Sequence, residues 1–369
     1  GLEALKDLIA PDNAPVVDNL EQDGAIVIGR TNTPEFSMRG TTDNVIHGRT
    51  YNPWNDWASP GGSSGGASAA VMSGMGSLAH GNDIAGSLRI PSTATGACTV
   101  KPGLGRVPAF NPSQTQERGL VAQLMSVQGI IAREIKDVRL GMQSLINYDP
   151  RDPWMVEMPF ESKSVTSPIK IGYTKETLGE VLHPAVDKAL ENAIEALKDA
   201  GYILEEIVLP EFQDATNYSA RTLFGELKAL HEKDFKKLGS ENFNLVADNY
   251  FQIISPFEGE DLLLGMAKRS YFFREWNLFF RKYPLVLTPF LLYPTYEWDR
   301  DIQGLEGTKE VLAGMFYAHT MNYMGIPAGV VSANYNDGLP VGVQIISSRF
   351  REDIILRACE EIEKRLGIM

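Results

Sequence analysis

The sequence predicts an α/β fold, and three adjoining stretches carry that prediction. Ile169 to Tyr173 is a short apolar run with the pattern of a strand. Pro184 to Ala200 follows as an amphipathic helix, with Val186, Ala189, Leu190, Ile194 and Leu197 on one face and Gly201 as its stop. Tyr202 to Leu209 then alternates like a second strand. A strand–helix–strand succession of this kind builds α/β architecture.

The remaining elements follow in chain order. Ala14, Val16, Val17 and Leu20 recur at helical spacing after Asp12, a candidate N-cap, and Gly24 closes that helix. Ala25 to Gly29 is a short apolar run of the kind buried in a parallel sheet. Thr31 to Pro60 is a long irregular stretch punctuated by Pro34, Gly40, Gly48 and Pro53, and loops this long serve function or are tightly packed. Ala67 to Met75 reads as a helix of small residues, and Met125 to Leu145 contains another helix. Asp149 to Pro153 is a surface turn, and Met158 to Pro168 an exposed excursion. Phe212 to Tyr283 is helical, aromatic-rich and charged, and reads as an insertion packed over the sheet. Val286 to Leu292 and Val341 to Ile346 are strands, and Asp353 to Leu366 is the last helix.

Composition narrows the function classes. The 369 residues carry a net charge of −13, which argues against nucleic acid or an anionic membrane as the main partner. No apolar run approaches the roughly 18 residues of a membrane span, and Gly1 to Ala10 lacks the apolar core and cleavage site of a signal peptide. A cytoplasmic enzyme is therefore expected. Cys98 and Cys359 fit no metal-ligand spacing and read as small buried hydrophobes. His47, His80, His183, His231 and His319 are scattered and suggest no metal cluster.

Two serine motifs stand out. The first is Gly61-Gly62-Ser63-Ser64-Gly65-Gly66, and the second is Asp83-Ile84-Ala85-Gly86-Ser87-Leu88-Arg89. Small residues around a serine let a substrate carbonyl and several backbone N–H groups crowd close to it. Each motif alone has a plainer reading: the first as a linker or phosphate-binding turn, the second as a helix start. The pair, with Ser63 and Ser87 separated by 24 residues, is far more specific. A histidine scheme is the rival, since His80 and Asp83 both precede Ser87; sequence proximity does not establish the geometry of a triad.

These motifs, with Gly96 to Arg106 (GACTVKPGLGR), resemble the amidase signature family of serine hydrolases. Ala25 to Phe36, Val127 to Arg133 and the segment Asn322 to Gln344 resemble its flanking landmarks, so the likeness runs end to end and is weakest over 212–283. The resemblance implies a single α/β domain over 1–369 with a mixed, mostly parallel twisted sheet flanked by helices, carrying 212–283 as a variable helical insertion. It implies Ser87 as nucleophile and Ser63 as the bridging serine after a cis Gly62–Ser63 bond. It implies an oxyanion hole from the N–H groups of Ile84, Ala85, Gly86 and Ser87, with Ser64, Asp83 and Arg89 in support. The third member of the family's triad is a lysine, and the register places it upstream of Gly1. Lys6 lies too late to match and reads as a surface residue. The opening segment of a typical member either precedes the given sequence or is missing from a fragment; if it is truly absent, and the lysine with it, little or no activity is expected.

The implied activity is hydrolysis of a carboxylic amide to acid plus amine or ammonia, through a seryl acyl-enzyme and a Ser–cisSer–Lys relay that requires no metal or cofactor. The implied partner is a small-molecule amide, with no nucleic acid, no membrane span and a homodimer as one possible state. A glutamine-amidotransferase A-type subunit is an alternative, although Gln123 to Gly129 (QLMSVQG) does not look like that subunit's usual stretch. An inactive fragment or assembly subunit is another. Ala85 stands where many members have Gly, and Asn82 where Thr or Ser is common. Phe36, Met38, Tyr51 and the aromatics of 212–283 either line a pocket or pack the core.

Overall fold

A short apolar run becomes a strand only where a neighbour completes its ladder. In the computed structural model, which describes residues 1–162 and 168–369, eight runs do so. The chain opens with α1 (Pro15–Gln22) and α2 (Gly65–Met72), then runs β1 (Leu78–Asp83), α3 (Arg89–Thr95) and β2 (Cys98–Lys101). It continues through α4 (Leu120–Met125), β3 (Val127–Ala132), α5 (Ile135–Leu145), β4 (Lys170–Tyr173), α6 (Pro184–Asp199) and β5 (Ile203–Glu206). Three long helices follow: α7 (Phe212–Leu238), α8 (Glu241–Ile254) and α9 (Gly259–Phe280). The last elements are β6 (Leu285–Pro289), α10 (Gly304–Ala313), α11 (Phe316–Met324), β7 (Ala328–Asn336), β8 (Leu339–Ser347) and α12 (Glu352–Leu366).

The strands form one mixed sheet in the order β1-β3-β2-β7-β8-β6-β4-β5. Helices cover both faces, which makes the fold α/β. The expectation of a mostly parallel sheet is corrected: only β6–β4 and β4–β5 pair in parallel, and the other five pairings are antiparallel. Parallel neighbours need a long crossover, which α6 supplies between β4 and β5. The β7–β8 connection has no room for one. Asp337 and Gly338, both at positive φ, make a two-residue hairpin turn that forces an antiparallel pair.

Alternation along the strands sorts side chains into two cores. Leu285 and Leu287 of β6, with Val341, Val343 and Ile345 of β8, face the α5–α6–α12 side. Val286 and Ile346 face the side built by α7, α9 and α11. α6 buries its predicted stripe of Val186, Ala189, Leu190, Ile194 and Leu197. Each large aliphatic so buried contributes roughly 1.5–3 kcal/mol.

Two further expectations meet corrections. Ala25 to Gly29 is not a strand, and Ile26, Val27 and Ile28 are 86%, 57% and 75% exposed. Its backbone has no ladder partner among the described residues, and apolar composition without a partner makes no strand. The first helix starts at Pro15 with Ala14 as N-cap, while Asp12 instead accepts from the neighbouring Asn13 N–H. The surface excursion predicted for Met158 to Pro168 lies partly outside the described residues. Lys6 is an exposed residue paired with Glu3, as its surface reading requires. Cys98 and Cys359 are both buried and free.

Candidate active site

The site is built where β1 ends. Asp83 is the last residue of that strand, the turn Ile84 to Leu88 follows, and α3 begins at Arg89. Ser87 lies on this turn and is 9% exposed. Gly86 has φ +112, and a Cβ there would press into Ala318 and Ile90, so the turn requires glycine on both counts.

Ser63 lies on the other bend, with Ser64 at the N-cap position of α2, and is 5% exposed. The Gly62–Ser63 peptide bond is cis, as the resemblance implies. The glycines here make room for backbone. A Cβ on Gly61 would strike Pro91, and one on Gly62 the Arg39 carbonyl. Thr42 Oγ1 donates to the Gly61 carbonyl at 2.9 Å, and Ser59 Oγ accepts from the Gly61 N–H at 3.0 Å.

Tertiary packing brings the two bends together. The Ser64 N–H donates to the Ser87 carbonyl at 3.2 Å. Ser68 of α2 donates to the Pro91 carbonyl of α3 at 3.1 Å. A Cβ on Gly81 of β1 would meet both Ser64 and Leu88.

Beneath the Ser87 turn lies a buried ion pair. Arg89 Nε and Nη2 donate to the two carboxylate oxygens of Asp83 at 3.0 and 3.1 Å, and neither side chain has exposed surface. Asp83 also accepts the N–H groups of Gly86 at 2.7 Å and Leu88 at 3.2 Å. Burial alone would raise the Asp83 carboxyl; the Arg89 guanidinium, the charge of Lys101 and the Gly86 N–H outweigh it and hold it below the usual range. The Gly86 N–H already has an acceptor, whereas among the described residues the N–H groups of Ile84, Ala85 and Ser87 bond nothing in the chain.

Three residues that sequence reasoning did not assign complete this support. Asn322 Nδ2 donates to the Asp83 carbonyl at 2.8 Å, while its Oδ1 accepts from Arg89 at 2.6 Å. Gln344 Oε1 accepts from Arg89 Nη1 at 2.8 Å. Lys101 is wholly buried, with Nζ donating to the Pro102 carbonyl at 2.9 Å. Burial and the like charge of Arg89 pull its ammonium down to about 7, against the attraction of Asp83 and Glu352. The available signal was a polar residue inside an apolar strand, as Gln344 is in Val341 to Ile346.

Other candidates fall outside this junction. His80 is exposed on β1, and its Nε2 pairs with Gln128 Oε1 at 2.9 Å. Since its neighbour Gly81 faces Ser64 and Leu88, His80 points to the opposite face of the strand. Phe36 and Met38 pack with Phe235 and Phe243, and Tyr51 is exposed beside Arg49. Asn82, the departure noted above, bonds Ser126 Oγ and the Val127 carbonyl.

The α/β sheet thus holds two glycine-lined serine bends against each other. The family model described as Amidase matches residues 1–356, and the chain belongs to that family. It is 42% identical over 370 residues to an indoleacetamide hydrolase of Bradyrhizobium diazoefficiens, a match spanning 100% of this chain and 71% of that protein. It is 28% identical to the A-type subunit of the glutamyl-tRNA(Gln) amidotransferase of Methanosarcina barkeri, across 99% of this chain and 80% of the relative. Among solved structures, a bacterial aryl acylamidase of the amidase signature family superposes with a TM-score of 0.79 at 26% identity, covering 99% of this chain and 78% of that one. The chain is thus a hydrolase acting on amides.

Proposed function

We propose that this amidase cleaves the primary amide of an arylacetic acid, with indole-3-acetamide as reference substrate, to the acid and ammonia. The observation that carries the chemistry is the junction of the two bends, where the Ser64 N–H meets the Ser87 carbonyl and both serines lie nearly sealed. Support for the substrate comes from the 42% identity to an indoleacetamide hydrolase along the whole chain. The tRNA-dependent alternative has weaker support, at 28%.

In this reading Ser87 Oγ attacks the amide carbonyl and passes its proton to Ser63. Ser63 passes its own to a neutral lysine amine, which the family resemblance sets upstream of Gly1. The developing oxyanion is met by the unshared N–H groups of Ile84, Ala85 and Ser87, each such donor being worth about 3 kcal/mol in the transition state. Gly86, placed in the hole on sequence grounds, acts instead by fixing the turn through Asp83. Ser63 then protonates the leaving nitrogen. Water enters, and the relay runs in reverse to release the acid. Ser64, Asp83 and Arg89 hold the two bends in register.

The test combines turnover with covalent labelling. Ammonia release from indole-3-acetamide should fall roughly 10⁴-fold or more in Ser87→Ala. A fluorophosphonate should label the parent chain and not that variant. Persistent labelling of Ser87→Ala would remove Ser87 as nucleophile.

A further inference from the structure

α11 presents one side toward the Ser87 turn. Ala318 abuts Gly86, its carbonyl accepts from Arg89 at 2.9 Å, and Asn322 one turn on bonds the Asp83 carbonyl. His319, three residues before Asn322, shares that side of the helix. Its imidazole also reaches α7, where Nδ1 lies 2.6 Å from Ser219 Oγ. The single Ser219 hydroxyl proton is donated to the Thr216 carbonyl at 2.8 Å, so the hydroxyl must accept from Nδ1–H. Burial and the Arg89 charge keep the ring neutral, with its pKa lowered to about 4. Nε2 is therefore a bare acceptor. Among the described residues it has no partner, and it is not sealed from solvent. Ile84 and Ala85 of the Ser87 turn pack against the aromatic cluster to which α7 and α11 contribute, and Arg89, at the end of that turn, is near enough for its charge to act on the His319 ring.

We propose that His319 reads the aromatic ring of the acyl group, Nε2 accepting a hydrogen bond from a ring N–H such as that of indole. The site then favours arylacetamides with a ring donor over isosteres without one. This rests on the arylacetamide reading above.

The test titrates the Ser87→Ala chain, which cannot turn substrate over, with indole-3-acetamide and with benzothiophene-3-acetamide. The second has nearly the same shape, with sulfur where indole has N–H. The indole amide should bind about ten-fold tighter, the worth of one hydrogen bond. Adding His319→Leu should bring the ratio to about one through loss of indole binding, while His319→Gln, which keeps an acceptor, should retain part of it. Ser219→Ala frees the ring tautomer and should also shrink the ratio; it carries the test if melting shows the leucine variant to be unfolded. Equal affinities in the parent, or a preference unchanged in the variants, would overturn the role of His319 while leaving arylacetamide binding intact. Absence of binding by both amides would remove the arylacetamide reading and this inference with it.

Discussion

Asp83 has no exposed surface, yet it keeps its charge because four donor groups converge on its two oxygens. A buried carboxylate is tolerable only with such complete pairing. The same pairing leaves Asp83 nothing to offer an imidazole, and His80 lies on the far face of β1. Replacement of His80 by Gln should accordingly leave amide hydrolysis within a few-fold of the parent, because it loses only a surface contact with Gln128. A loss comparable to that of Ser87→Ala, in the same ammonia-release assay, would restore the histidine scheme. At this scale the sequence was readable. The glycines of both bends announced close backbone approach, and Gly61, Gly62 and Gly86 each sit where a Cβ would collide. The acceptor that occupies the Gly86 N–H was not readable, since it depends on how far Asp83 reaches back over its own turn.

α4 shows how an element far from the serines supports them. Its first-turn N–H groups, from Val121 and Ala122, both donate to the Glu226 carboxylate of α7 at 2.8 Å. Its last residue, Met125, accepts from Asn322, which also holds Asp83. The 212–283 helices thus reach the Ser87 turn through a helix cap. Glu226→Gln keeps the shape but sets an amide against a donor, and should cost about 2 kcal/mol, seen as a lower midpoint in urea unfolding. An unchanged midpoint would mean that water replaces the carboxylate without penalty. Elements with their own periodicity, such as α6 and α12, were legible in the sequence. β1 and β2 were not: they are short and carry polar or charged residues, and their strand state comes from pairing with β3 and β7. Ala25 to Gly29 is the converse, an apolar run without a ladder.

For the whole molecule, Lys101 couples stability to pH. Its folded pKa near 7 lies well below the ordinary value near 10.4 of an unfolded lysine. Between those values the unfolded chain binds more protons than the native one, so stability rises with pH across that window. The melting temperature should climb from pH 7 to pH 9, and Lys101→Met should flatten the climb; equal slopes for the two chains would rule out this origin. No helix among the described residues is long and apolar enough to cross a membrane. Sequence by itself determined the strongly periodic helices such as α6 and α12, the α/β class and the two serine bends, because periodicity and the steric need for glycine are local properties. Only tertiary structure decided the pairing directions of the sheet and the closing of Asn322 and Gln344 on Arg89 from 233 and 255 residues away. The physical reason is that a ladder or a buried ion pair takes its partners from whichever segments the packed chain brings alongside, and no local pattern encodes that choice.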